Sequence, residues 1–162
     1  MVVRCVWCPM AKRKQYDHSV YLEKVAVVKE LRKTISKAAK TLKQYDFDTI
    51  AFRGMSGALP AIPLALRLKK ELIFVRKDFE IKDDNSHSRR QVEGHKTVER
   101  YAIVDDLICT GKTLKEIVKH IHTFAPKAKC IGVLLTDSSM TSLKTFAVLK
   151  DDKKCLAKDF PQ

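Results

Sequence analysis

The sequence predicts an α/β fold, a central parallel sheet flanked by helices, and three observations carry that reading. Short apolar runs without polar alternation recur at residues 49–52, 72–75, 101–104 and 130–135, as expected for strands covered on both faces. Between them lie segments with helical periodicity, so that strand and helix alternate. Two adjacent acids, Asp105 and Asp106, then stand where the third run stops, and ligands of open α/β sheets bind at the carboxyl ends of strands.

Taken in order, residues 20–42 form the first amphipathic helix. Val25, Val28, Leu31, Ile35, Ala38 or Ala39, and Leu42 recur at three- and four-residue steps, and Lys24, Lys29, Arg32, Lys33, Lys37, Lys40 and Lys43 fill other positions. Thr49 to Phe52 is a strand. Arg53 to Gly57 is a loop with two glycines, followed by a helix over about 59–68 that tolerates Pro60 and Pro63 through their nearness to its first turn. Leu72 to Val75 is the second strand. Residues 77–100 are polar and lack a core face, so the stretch is either disordered or a functional lid; a β-hairpin also stays open there, though the alternation is weak. After the strand at 101–104, Leu114, Ile117, Val118, Ile121 and Phe124 give a helical stripe that stops before Pro126. Cys130 to Leu135 is a further strand, ending at Thr136 and Asp137, and Thr145 to Leu149 is expected as the last.

At 162 residues the chain reads as one domain with a sizeable core, and with 45% hydrophobic and 31% charged residues it has the composition of a globular protein. No apolar run approaches the ~20 residues of a membrane span. The first residues are too interrupted for a signal peptide, so a cytoplasmic location is expected. Five cysteines read as reduced thiols. Cys5 and Cys8 make half of a zinc-type pair that no second pair completes. The formal charge is +13, and residues 1–45 carry 11 Lys/Arg against 3 Asp/Glu. Such a balance suits a polyanionic ligand and equally suits nucleic acid.

The chemistry concentrates in residues 101–114. An apolar strand, Asp105-Asp106, a short loop and Thr110-Gly111-Lys112-Thr113 at a helix start put carboxylates beside a phosphate cradle. That pairing suits a sugar phosphate. It is not a Walker A loop, because the position five residues before Gly111 is Asp106, not glycine.

This stretch resembles the phosphoribosyl-diphosphate (PRPP) signature of the type I phosphoribosyltransferases, through Ile103-Val104-Asp105-Asp106 and Thr110-Gly111-Lys112-Thr113. The Thr-Gly-Lys-Thr is similar to that of hypoxanthine-guanine enzymes. Phe52-Arg53-Gly54 and Phe74-Val75-Arg76-Lys77 look like orotate-enzyme sequences. The resemblance implies the type I fold as a single domain over 1–162, with a core at about 20–150, a small hood from about 1–19 and 150–162, and a flexible loop at about 77–100. It implies a Mg²⁺-dependent transfer of the phosphoribosyl group from PRPP to a nucleobase, in a homodimer.

By the same resemblance, Asp105 and Asp106 address the ribose hydroxyls and hold Mg²⁺, directly or through water. Cys109, Thr110, Gly111, Lys112 and Thr113 wrap the 5-phosphate. Arg53, Gly54, Arg76 and Lys77 face pyrophosphate, and Lys77 joins the two aspartates as a catalytic group. In the Arg53-Gly54 loop, members often hold a non-proline cis peptide. Lys82, His87, Arg89 and Arg90 are loop candidates for the leaving diphosphate. Thr136, Asp137, Trp7 and Phe160 are candidates for the base. Cys109 stands where hypoxanthine-guanine enzymes carry an aspartate, so purine and orotate or another pyrimidine both remain open as acceptors. A second reading is a non-catalytic PRPP-binding regulator that binds nucleic acid through its basic N-terminal helix.

Overall fold

The computed structural model describes residues 22–77, 90–106, 111–136 and 143–144. The first amphipathic helix is broken in two. Helix α1 spans Glu23–Ala26 and α2 spans Val28–Leu42, with Val27 extended between them (φ −79°, ψ 111°). The break swings Val28 out to solvent, while Val25, Ile35, Ala38, Ala39 and Leu42 stay buried as the periodicity predicts.

Strand β1 (Thr49–Phe52) leads through Arg53 alone into α3 (Gly54–Leu68). This helix starts five residues earlier than the sequence suggests, so Pro60 and Pro63 lie inside it rather than in its first turn. Each proline withholds an N–H from the carbonyl four residues before it. What keeps α3 helical is its inner stripe of Gly57, Pro60, Ala61, Leu64 and Ala65, buried at three- and four-residue steps. Gly57 suits this close packing: a β-carbon there would lie 3.0 Å from the Val104 carbonyl oxygen and 3.2 Å from the Phe52 β-carbon, and the neighbours would have to give by a few tenths of an ångström.

Strand β2 (Glu71–Val75) follows, and then β3 (Val92–Gly94) pairs antiparallel with it, Val75 opposite Val92. The stretch 77–100 is therefore not all loop. Val92 and Val98 are buried in the core, and these two isolated valines supply the inward face that weak alternation concealed. Residues 78–89 lie outside the described residues. Strand β4 (Arg100–Asp105), helix α4 (Lys112–Phe124) and strand β5 (Lys129–Leu135) stand as expected, within two residues. A short β6 (Leu143–Lys144) pairs antiparallel with β5; the strand expected at 145–149 lies outside the described residues.

Among the described residues six strands run in the order β3-β2-β1-β4-β5-β6, with β2, β1, β4 and β5 parallel and the outer two antiparallel to their neighbours. Side chains alternate across the sheet. Ile50, Phe52, Ala102, Val104 and Leu134 pack under α2 and α3. Ala51, Ile73, Val75, Tyr101, Ile103 and Val133 pack under Leu114, Ile117, Val118 and Ile121 of α4. At the amino ends of the strands Asp48 is the clamp: its carboxylate accepts the Arg100 N–H (2.6 Å) and Glu99 N–H (3.2 Å), its own N–H donates to the Arg100 carbonyl (2.9 Å), and its carbonyl accepts the Glu71 N–H (3.0 Å). Among the described residues no helix is long and apolar enough to cross a membrane.

Candidate active site

The chain winds outward from β1 in both directions, to β2 on one side and to β4 on the other. That reversal opens a crevice at the carboxyl ends of β1 and β4, where α/β sheets bind ligands. Three of the sequence-predicted groups meet there: Arg53-Gly54 after β1, Lys77 after β2, and Asp105-Asp106 at the end of β4.

Asp105 closes β4 and is buried, while Asp106 is half-buried. The Asp105 carboxylate accepts the Asp106 backbone N–H at 2.9 Å. The Asp105 backbone carbonyl accepts two bonds from the end of β5, from the Thr136 N–H (3.0 Å) and Oγ1 (3.3 Å). Thr136, a base candidate in the sequence, thus spends its hydroxyl fastening two strand ends together. Burial pushes the Asp105 carboxyl well above the usual carboxylate range; hydrogen bonding and repulsion from Asp106 add to the rise, and the positive charge of Lys77 opposes it. A site where one carboxylate raises the pKa of its neighbour is one where a cation would lower the free energy of both.

Across the crevice, Gly54 adopts φ +67°, a left-handed backbone that a side chain would strain. The peptide bonds are trans throughout the described residues, so this loop carries its conformational demand at Gly54 rather than in a cis bond. The Lys77 ammonium lies beside this loop, 3.6 Å from where a Gly54 β-carbon would sit, an ordinary contact distance, so it is the backbone angle that asks for glycine here.

Two of the predicted diphosphate ligands are placed differently. The pleat that puts Ala51 under α4 puts Arg53 on the same face. Its guanidinium is buried and forms an ion pair through Nη1 with Oε2 of Glu116 on α4. Arg76 is bidentate with Glu93 on β3 (3.0 and 3.3 Å) and lies over the Phe74 ring, 5.7 Å from its centre. Phe74 in turn stacks on Phe52 at 5.4 Å.

The phosphate cradle is described from Gly111 onward. Gly111 is buried, has φ +74°, and is the residue before α4, where it has no side chain to cap the first amides. Lys112 and Thr113 are exposed on the first turn, with Lys112 Nζ 3.8 Å from Glu116 Oε1. Cys109 and Thr110 lie outside the described residues, as do Lys82, His87, Arg89, Asp137, Trp7, Phe160, Cys5, Cys8 and the expected hood. Arg90 is exposed beside β3. Glu116 was not singled out by the sequence, because one acid on a helix four residues after a lysine reads as an ordinary surface pair.

A family model described as phosphoribosyl transferase domain matches residues 18–157. The chain is 33% identical over 127 residues to an adenine phosphoribosyltransferase of Clostridium botulinum, covering 72% of each. It is 26% identical over 100 residues to an orotate phosphoribosyltransferase of Thermotoga maritima, covering 62% of this chain and about half, 51%, of that relative's length. Among solved structures it resembles an adenine phosphoribosyltransferase from Thermoanaerobacter pseudethanolicus, with TM-score 0.53 and 26% identity over 68% of this chain and 70% of the other.

Proposed function

The chain belongs to the phosphoribosyl transferase domain family, and from that premise we propose that it transfers the 5-phosphoribosyl group of PRPP to a ring nitrogen of a nucleobase, purine or pyrimidine, with release of pyrophosphate. The observation that carries this reading is the meeting of Asp105-Asp106, Gly54 and Lys77 at the switch point of the sheet, next to the Gly111 start of α4.

In this reaction the C1–O bond to diphosphate breaks as the C1–N bond to the base forms, and the base gives up its nitrogen proton. The residues bind and orient. The carboxylates of Asp105 and Asp106 accept hydrogen bonds from the vicinal ribose hydroxyls. The first amides of α4 take the 5-phosphate, which anions favour at a helix start. The Gly54 backbone and the Lys77 ammonium face the departing diphosphate, whose charge grows as the bond breaks. Mg²⁺ fits this donor set: two hard carboxylates are what such an ion takes from protein when substrate phosphates complete its shell. It would supply neutralisation of the diphosphate.

The test is pyrophosphate release from PRPP and Mg²⁺ with adenine, hypoxanthine, guanine and orotate in turn. Activity with one base, lost in Asp105→Asn/Asp106→Asn, is the expected result; a folded protein silent with all bases overturns the transferase reading. One observation favours a second reading: Lys29, Arg32, Lys37, Lys40 and Lys43 are all exposed along α2. A nucleic-acid-binding PRPP regulator would show affinity that falls steeply with salt and depends on these residues.

A further inference from the structure

Glu116 occupies a position between the two anion-binding loops that the proposed reaction does not explain. One of its oxygens, Oε2, holds the buried guanidinium of Arg53, the residue that joins β1 to the Gly54 loop. The other, Oε1, lies 3.8 Å from the ammonium of Lys112, the first residue of α4. Lys112 stands one turn before Glu116 on the same helix, whereas Arg53 stands on the β1–α3 connection, so the Arg53 bond is the one that crosses between elements. Arg53 belongs to the wall facing the diphosphate, and Lys112 to the wall facing the 5-phosphate. Glu116 itself is half-buried on the second turn of α4, between the core residues Leu114 and Ile117.

A buried guanidinium needs an anion, and pairing it fixes both partners. The partners here are 63 residues apart in sequence. They tie the β1–α3 connection to the helix that carries the cradle. PRPP presents a 5-phosphate and a 1-diphosphate at a separation set by its ribose, so a site that binds both ends needs its two loops at a matching distance. Small misplacements in such sites are costly, a shift of about 1 Å losing ~100-fold in rate.

We propose that Glu116 is a positioning residue that sets the spacing between the diphosphate loop and the 5-phosphate cradle, and that Arg53 acts through it rather than as a ligand of the diphosphate. The inference rests on the phosphoribosyl-transfer reading. It separates from that reading because a spacer matters only to a ligand that touches both walls. Either half of PRPP, pyrophosphate or ribose 5-phosphate, needs one wall.

Calorimetric titration of wild type and Glu116→Gln with PRPP, pyrophosphate and ribose 5-phosphate, each with Mg²⁺, tests it. Glu116→Gln is expected to weaken PRPP by about tenfold or more, while both halves keep wild-type affinity or tighten as a negative charge is lost. Unchanged PRPP affinity overturns the inference. So does an equal loss for PRPP and for either half, which would mean that Glu116 only supports a local fold. Folded wild type that binds no PRPP overturns the underlying reading, and the inference with it. If Glu116→Gln does not fold, the double variant Arg53→Met/Glu116→Leu removes both charges at once and is expected to give the same selective loss.

Discussion

Asp105 is a residue whose surroundings oppose its ionised form. Its carboxyl pKa is raised in the folded chain by burial and by Asp106, and is ordinary when unfolded. Between those two values the folded state holds more protons than the unfolded state, so stability falls as pH rises through that interval and the cost is complete above the folded value. Asp105→Asn keeps an acceptor for the Asp106 N–H and removes the charge. The variant is expected to melt higher than wild type at pH 8, by on the order of 2 kcal/mol or several degrees, with the gap closing toward pH 4. Ligand-free thermal melts across pH check it; a gap that does not depend on pH would refute the assignment. Cys130 gives a second expectation. Burial pushes its thiol up to about 12, beside the Tyr101 hydroxyl and 3.7 Å from the Gly132 carbonyl. Peptide mapping after alkylation of native protein at pH 7.5 should find Cys130 unmodified, because the thiolate is the reactive form.

Single elements show where the sequence was legible. The strand at 101–104 and the helix at 114–124 were plain, since an unbroken apolar run and a clean stripe each admit one reading. The break at Val27 and the early start of α3 were not, because both depend on the sheet beneath: Val27 is extended so that Val25 and Ile35 both reach the core, and Pro60 is helical because it packs inward. The motifs of Asp105, Asp106, Gly54 and Lys77 made them legible as a candidate site, and the fold brings them together. Glu116 was not, since its partner is 63 residues away and only the fold unites them. Edge strand β3 was hidden in a charged stretch. Its Gly94 has φ +128°, and a β-carbon there would stand 2.1 Å from the Leu72 carbonyl oxygen. Gly94→Ala should therefore part β3 from β2 at a cost of about 1–3 kcal/mol in chemical denaturation. It should also speed hydrogen exchange at the Arg76 N–H, which bonds the Gln91 carbonyl.

Across the whole molecule, the strand order places the two halves of the site on elements far apart in the chain, β1 with β2 and β4 with α4. A ligand that engages both should stabilise the fold as a unit. PRPP with Mg²⁺ at about 100 times its dissociation constant is expected to add ~3 kcal/mol, seen as a rise in Tm that Asp105→Asn/Asp106→Asn abolishes. No rise in wild type at saturating PRPP would count against the site.

The clamp at Asp48 has a consequence for how this chain tolerates change. Its bonds to Arg100, Glu99 and Glu71 lace three strands at the end of the sheet remote from the crevice. The opposite end is fastened separately, by Thr136 on the Asp105 carbonyl and by the Arg53–Glu116 and Arg76–Glu93 ion pairs. Substitution at those contacts leaves the amino-end frame in place, whereas substitution at Asp48 removes the carboxylate's bonds to the Arg100 and Glu99 N–H groups. The two ends of the sheet are thus fastened independently, and contacts at one can change without unlacing the other.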